Sequence, residues 1–249
     1  MGVAEFGLFL GDLEGVSWGR LMSVTGLASG GTAPGSPARG GDPQFRHLTG
    51  AILAGGGSRR LGRDKATLAL AGKALALRVA AALAPMVSDC WLITNQPLAH
   101  LALGLPLVTD LWPHQGPVGG LVTALFYART PWVLAAAVDN PFPAPALLRQ
   151  LAAQAAKTPR PAVVCRSSWG LEPFPGLYSV RLLPQLIEFL QRDRRPRRFL
   201  EICRAQVISE EEARRLDPEG RSFFNLNTPE DVARAAAWLA AGGGAETAD

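Results

Sequence analysis

From residue 48 onward the chain alternates short apolar runs with longer stretches of helical spacing. LTGAILA (48–54) is largely apolar and runs straight into glycines, which predicts a buried strand. KALALRVAAALAPM (73–86) has the length and composition of a helix, and DCWLITN (89–95) and LPLVTD (105–110) predict two strands. GPVGGLVTALFYAR (116–129) opens on Gly-Pro and continues as a helix, while PWVLAAAV (131–138) is apolar throughout and predicts a central strand. PAPALLRQLAAQAA (143–156) predicts a helix with proline in its first turn, where a missing N–H leaves nothing unpaired. Strands are expected over 161–166 and 174–180, a helix over 181–192, and short strands at AQVISE (205–210) and SFFNLN (222–227). Thr228, Pro229 and Asp231 form a helix start, and the last helix should run to about Ala241 before GGG (242–244) ends it.

Strands alternating with helices predict an α/β fold: a three-layer α/β/α Rossmann-like sandwich around a mostly parallel mixed sheet. In such sheets ligands sit at the C-terminal ends of the strands. Residues 28–43, ASGGTAPGSPARGGDP, are linker chemistry. The expected organisation is therefore a disordered extension over 1–47, one domain over 48–241 and a flexible tail over 242–249, with Met22 an alternative start.

Composition narrows the class. The chain has 249 residues, 48 % hydrophobic and 18 % charged, enough for a sizeable core. No apolar run reaches the roughly 18 residues that a membrane span needs, so no membrane partner is expected. The N-terminus lacks the basic region of a secretory signal. Cys90, Cys165 and Cys203 are far apart and form no CxxC, which disfavours a disulfide scaffold or zinc knuckle and suits a reducing cytoplasm. The net charge of +4 suits an anionic small molecule, and no basic patch is interleaved with aromatics as nucleic-acid binding would ask. Lys65, Lys73 and Lys157 are the lysines of a chain that otherwise uses arginine.

The strongest local signal is LAGGGSRRLGRDK (53–65), directly after the first strand. Three consecutive glycines let backbone amides approach a ligand, and Arg59, Arg60, Arg63 and Lys65 add cations, which suits a polyphosphate. The bland alternative is a surface turn with solvated arginines. Spacing excludes two familiar loops. Gly57 and Gly62 have the gap of a P-loop, but Arg63-Asp64 follows where Lys-Ser/Thr is needed. Gly55 and Gly57 begin a GxGxxG, but Arg60 holds its last position.

This segment resembles the opening signature of the molybdenum cofactor guanylyltransferases, roughly LAGGxSxRMGxDK, with Leu61 in place of Met. Those enzymes are nucleotidyltransferases of nucleotide-diphospho-sugar transferase fold. The resemblance extends over about residues 48–241. Asn95 stands after the second strand, and Asp110 precedes a GPLAG-like turn, here Gly116-Pro117-Val118-Gly119-Gly120. Asp139, Pro141 and Phe142 match a CDxPF-like motif, with Val138 for the cysteine. Asn225, Asn227, Thr228, Pro229 and Asp231 match NxNTPxD.

The resemblance implies transfer of GMP from GTP to the phosphate of molybdopterin, with release of pyrophosphate and dependence on Mg²⁺. It implies Lys65 and Asp139 as catalytic groups, Asp139 as the metal ligand, and Leu53, Ala54, Gly55, Lys65, Asn95, Asp110 and Asp139 as the nucleotide site. Gly56, Gly57, Ser58, Arg59 and Arg60 would surround the phosphates, and Asn225 and Asn227 would face the pterin. Transient contact with other molybdenum-cofactor proteins would deliver the acceptor.

Each residue also has a plainer reading. Asp139 suits the N-cap of a helix near Pro143, and Lys65 suits a solvated lysine or a partner for Asp64. Asn95 and Asp110 suit loop residues, and Asn225 and Asn227 suit turn and cap chemistry. RDRRPRR (192–198) suits a solvated loop or a grip on the pterin's phosphate. Trp112 and Trp169 suit packing or stacking on a ring. Two other functions fit the same fold: a cytidylyl- or sugar-phosphate nucleotidyltransferase, and a non-catalytic nucleotide-binding accessory protein.

Overall fold

The computed structural model describes residues 42–55 and 63–242. Residues 1–41 of the extension expected over 1–47, the tail from 243, and the phosphate-loop candidates Gly56, Gly57, Ser58, Arg59 and Arg60 lie outside the described residues; residues 42–47 of that extension are folded against the domain instead, with a 3-10 turn at Pro43–Phe45 and Phe45 buried in the core.

The sheet is built from β1 (Leu48–Leu53), β4 (Asp89–Thr94), β5 (Leu107–Thr109), β6 (Trp132–Ala137), β7 (Ala162–Ser167), β8 (Gly170–Ser179) and β9 (Gln206–Ile208) in the spatial order β5-β4-β1-β6-β8-β7-β9. β1 is buried at all six positions, as its unbroken apolar run demands, and pairs in parallel with β4 on one side and β6 on the other. β8 runs antiparallel between β6 and β7, while β9 lies parallel to β7. Six of the seven strands therefore point the same way, in the mostly parallel mixed sheet the sequence pattern predicts. The helices are α1 (Leu75–Leu83), α2 (Pro97–His100), α3 (Gly116–Tyr127), α4 (Pro145–Ala153), α5 (Leu183–Leu190), α6 (Pro196–Ile202), α7 (Glu210–Leu216) and α8 (Pro229–Gly242).

Alternate strand residues feed two helical layers. Leu48 and Ile52 of β1, Leu134 and Ala136 of β6 and Leu177 of β8 share one apolar cluster with Leu75 and Val79 of α1, Leu147 and Leu151 of α4 and Ala235 of α8. Leu53 and Ile93 turn to the other side, where a Cβ on Gly120 of α3 would lie 3.4 Å from Leu53 Cδ2.

Three further expectations are corrected. Lys73–Ala74 is not helix but β3, paired antiparallel with β2 (Ala69–Leu70). Ala71 and Gly72 between them both have positive φ, the backbone of a tight hairpin turn. SFFNLN (222–227) is not a strand but a 3-10 turn followed by irregular chain. It lies beside β6, whose two edges are already taken by β1 and β8, so its bonds go to single groups: Leu226 N–H donates to Asp139 O at 2.9 Å, and Ala144 N–H to Ser222 Oγ at 2.8 Å. The arginine run is loop only up to Arg195, because Pro196 opens α6.

Candidate active site

Four adjacent parallel strands carry the predicted site residues at their C-terminal ends. β5 ends before Asp110, β4 before Asn95, β1 before Ala54-Gly55, and β6 before Val138-Asp139. The ladder continues one step past β5, β1 and β6, which ties these strand ends to their neighbours. Asp110 N–H donates to Thr94 O (3.0 Å), Ala54 N–H to Ile93 O (2.9 Å) and Val138 N–H to Leu53 O (3.1 Å). The Ala54 amide and the Leu53 carbonyl are therefore engaged within the sheet, and reach toward a ligand passes to Gly55.

Gly55 borders two side chains. A Cβ placed on it would lie 3.5 Å from both Asn95 Nδ2 and Asp110 Oδ2. Asp110 is 4 % exposed. Its Oδ1 accepts from Thr123 Oγ1 of α3 at 2.7 Å and from Trp112 N–H at 3.3 Å. Among the described residues its Oδ2 is buried without a hydrogen-bond partner, and so is Asn95 Oδ1. Burial pushes the Asp110 carboxyl above the usual aspartate range, against the opposing pull of Thr123, Trp112 and His114. Buried polar atoms are rarely left unpaired, so Asp110 Oδ2 beside Gly55, with Asn95 Nδ2 at the same glycine, makes this a candidate place for a ligand.

Gly119 explains the shape of this wall. A Cβ there would lie 2.7 Å from Gln115 Cβ and 3.2 Å from Trp112 O, so glycine lets α3 close against the loop that follows Asp110.

The second half of the site gathers around a lysine. Lys65 Nζ donates to Asp139 Oδ2 at 3.0 Å and to Asn227 Oδ1 at 2.9 Å. Asp139 caps no helix: α4 starts at Pro145 behind Ala144. Nor does Lys65 pair with Asp64, whose Oδ1 instead accepts from Thr67 N–H (3.2 Å) and lies 3.0 Å from His100 Nε2. Asn225 makes a local turn bond, Nδ2 to Phe223 O at 3.3 Å.

The arginine run is mostly tied to carboxylates. Arg195 and Arg198 pair with Asp193, Arg192 pairs with Glu188, and Arg197 reaches Glu172 and the Trp169 carbonyl. Trp169 is 67 % exposed on the β7–β8 turn and is no packing residue, whereas Trp112 is half-buried beside Gly119.

Sequence reasoning missed two groups. Thr123 orients Asp110, and His100, 1 % exposed, braces Asp64. A threonine inside an apolar helix and a lone histidine carry no spacing that could have marked them.

Among the described residues no group of three or more His, Cys, Asp or Glu is placed to hold a metal ion. A single carboxylate at Asp139 still fits Mg²⁺, which takes one or two protein carboxylates and completes its octahedron with phosphate oxygens and water. The donor set is wrong for zinc.

Comparison with known proteins gives the family. A family model, MobA-like NTP transferase domain, matches residues 50–212. The molybdenum cofactor guanylyltransferase of Serratia proteamaculans is 36 % identical over 192 residues, 75 % of this chain and 93 % of that one. That of Desulfosudis oleivorans is 32 % identical over 197 residues, 78 % and 97 % of the two chains. The crystal structure of molybdopterin-guanine dinucleotide biosynthesis protein A from Archaeoglobus fulgidus superposes with a TM-score of 0.66 at 26 % identity, over 78 % of this chain and 99 % of that one. A CMP:2-keto-3-deoxy-manno-octonic acid synthetase shares the fold at 15 % identity with a TM-score of 0.60. With its nucleotidyltransferase fold and full-length relatives of one name, the chain belongs to the molybdenum cofactor guanylyltransferases, within the MobA-like NTP transferase family.

Proposed function

We propose that this protein transfers GMP from GTP to the phosphate of molybdopterin, giving the guanine dinucleotide form of the cofactor and pyrophosphate. The observation that carries the base assignment is the buried Asp110 Oδ2, unpartnered among the described residues, beside Gly55 and next to Asn95 Nδ2. Guanine offers two adjacent donors, N1–H and N2–H, next to the acceptor O6. An ionised Asp110 is acceptor-only and suits the two donors; the Asn95 amide, whose Nδ2 faces Gly55, suits O6. Cytosine and adenine place a ring-nitrogen lone pair where guanine has N1–H, so each sets an acceptor against the carboxylate. This favours guanylyl over cytidylyl transfer.

With the base there, the triphosphate runs along the strand ends toward Lys65 and Asp139. The acceptor's phosphate monoester is already an anion at neutral pH. Its oxygen attacks the α-phosphorus, the bond to the bridging oxygen of the β-phosphate breaks, and pyrophosphate leaves. No general base is required, so catalysis reduces to positioning and charge stabilisation. Lys65 supplies a compact cation to the phosphates. Mg²⁺, held by Asp139 together with the phosphates, would neutralise charge on the nucleotide. Asn225 is proposed to face the acceptor. The setting we propose is the cytoplasm, where other molybdenum-cofactor proteins would hand over the pterin; among the described residues no helix is long and apolar enough to cross a membrane.

The test is a calorimetric titration of Mg·GTP, Mg·CTP and Mg·ATP into the wild type and Lys65→Ala, followed by a pyrophosphate-release assay with molybdopterin. Selective GTP binding, weakened in Lys65→Ala, and release that depends on the pterin are expected. Preferential CTP binding would sink the base assignment, and binding without release would make the protein a nucleotide-binding accessory.

A further inference from the structure

Asn227 lies beyond the residues that the family model matches and 162 positions from Lys65, yet its Oδ1 accepts from Lys65 Nζ at 2.9 Å. It is held in place from three sides. Its own N–H and that of Thr228 both donate to Asp231 Oδ2, at 3.0 Å each. Asp231 N–H returns a bond to Thr228 Oγ1 at 3.2 Å, closing a reciprocal cap on α8. One residue earlier, Leu226 N–H donates to Asp139 O at 2.9 Å, which pins the segment to the end of β6.

A lysine is a point charge on a flexible stem, so the chain must aim it. Asp139 Oδ2 supplies one direction and Asn227 Oδ1 the second, and two acceptors fix the ammonium where one would let it swing. The chemistry of the second acceptor matters. A neutral amide oxygen orients the ammonium without cancelling its charge, whereas a second carboxylate would neutralise the cation that the phosphates need. We infer that Asn227 is a positioning residue for Lys65, serving the phosphate side of the site and not the pterin side. The inference rests on the reading of Lys65 as the lysine that binds GTP phosphates.

The experiment measures Mg·GTP affinity by calorimetry, without acceptor, in the wild type, Asn227→Ala, Lys65→Ala and the double variant, with KM for molybdopterin measured alongside. Asn227→Ala is expected to weaken GTP on the order of tenfold, the effect of one hydrogen bond to a charged group. It should add nothing in the Lys65→Ala background and leave KM for molybdopterin unchanged. Equal weakening in both backgrounds would mean a merely structural role, and unchanged GTP affinity with a raised molybdopterin KM would mean a pterin contact; either overturns the inference. If Lys65→Ala itself binds GTP like the wild type, the reading of the nucleotide site fails first and the inference with it. Asn227→Asp keeps the acceptor oxygen and the local bonds, so it guards against misfolding. It too should weaken GTP, through the added charge, and wild-type affinity there would overturn the proposal.

Discussion

His100 Nε2 lies 3.0 Å from Asp64 Oδ1, and this contact joins the two halves of the site. His100 ends α2, five residues after Asn95 on the proposed base side; Asp64 immediately precedes Lys65 on the proposed phosphate side. Asp64 also accepts from Thr67 N–H, so one carboxylate both shapes the turn that carries Lys65 and docks it on α2. Replacing His100 by alanine removes a buried side chain and a hydrogen bond together. His100→Ala should cost about 2–3 kcal/mol of stability, read from denaturant unfolding, and should weaken GTP binding as well. Unchanged GTP affinity would show that the brace is dispensable to the site.

Asp139→Asn should leave the fold intact, because Asp139 is part-exposed and its backbone carbonyl, not its carboxylate, holds Leu226. Turnover should fall by at least about a hundredfold, the scale of losing one electrostatic element of a transition state. Pyrophosphate release measured beside a thermal melt separates the two effects. Near-normal release would remove Asp139 from the chemistry.

Mg²⁺ without nucleotide should bind poorly. The Lys65 ammonium already sits 3.0 Å from Asp139 Oδ2, so a bare cation must displace another cation. Titrating Mg²⁺ into the nucleotide-free protein should give no resolvable heat, and a chelator should leave its melting temperature unchanged while stopping turnover. A chelator-induced drop in melting temperature would show a resident metal.

Asp110 should give the apo protein and its GTP complex opposite responses to pH. Burial raises its folded pKa above the unfolded value, so the folded state holds the proton more tightly than the unfolded state does. Stability from this group is present below the ordinary aspartate range and declines as pH rises toward the raised value. On the proposed reading GTP binding needs the carboxylate, so affinity should fall as pH is lowered through that same raised value. Asp110→Asn should flatten both curves, and Thr123→Val, which removes the donor to Oδ1, should shift the affinity loss to higher pH. An affinity curve of the same midpoint in wild type and Asp110→Asn would refute the assignment.

Two glycines should respond differently to alanine. Gly55→Ala meets Asn95 and Asp110 at 3.5 Å, ordinary contact, so stability should change by less than about 0.5 kcal/mol while GTP affinity falls because the methyl fills the base's edge of the site. Gly119→Ala would need its Cβ 2.7 Å from Gln115 Cβ, so it should destabilise by about 1–3 kcal/mol. Comparing melts and GTP titrations of the two variants checks both statements.

The strands that carry the site were legible because each is an apolar run bounded by glycine, proline or a polar residue, and each ends just before a candidate site residue. Leu53, Thr94, Thr109 and Ala137 close four strands, and Gly55, Asn95, Asp110 and Asp139 follow within two positions. Periodicity fixes where a strand is; it is silent on which neighbour the strand takes. The antiparallel insertion of β8 and the irregular course of 222–227 beside a filled β6 edge were therefore hidden. So were the bonds from Asn227 to Lys65 and from His100 to Asp64, which join positions far apart in the chain. Lys65 drew notice as a rare lysine, but nothing local told that its second acceptor comes from the start of the last helix.

The bond from Leu226 to Asp139 has a consequence for synthesis and turnover of the protein. Strands β1 to β9 are complete by Ile208, yet the segment that closes over Asp139 and Lys65 arrives afterwards. A nascent chain emerging from the ribosome therefore holds every strand of the sheet before it holds the segment that completes the pocket, and before α8 adds Ala235 to the core. Losing the chain from Phe223 onward would therefore take away at once the Asn227 acceptor of Lys65 and core side chains such as Phe224 and Leu226.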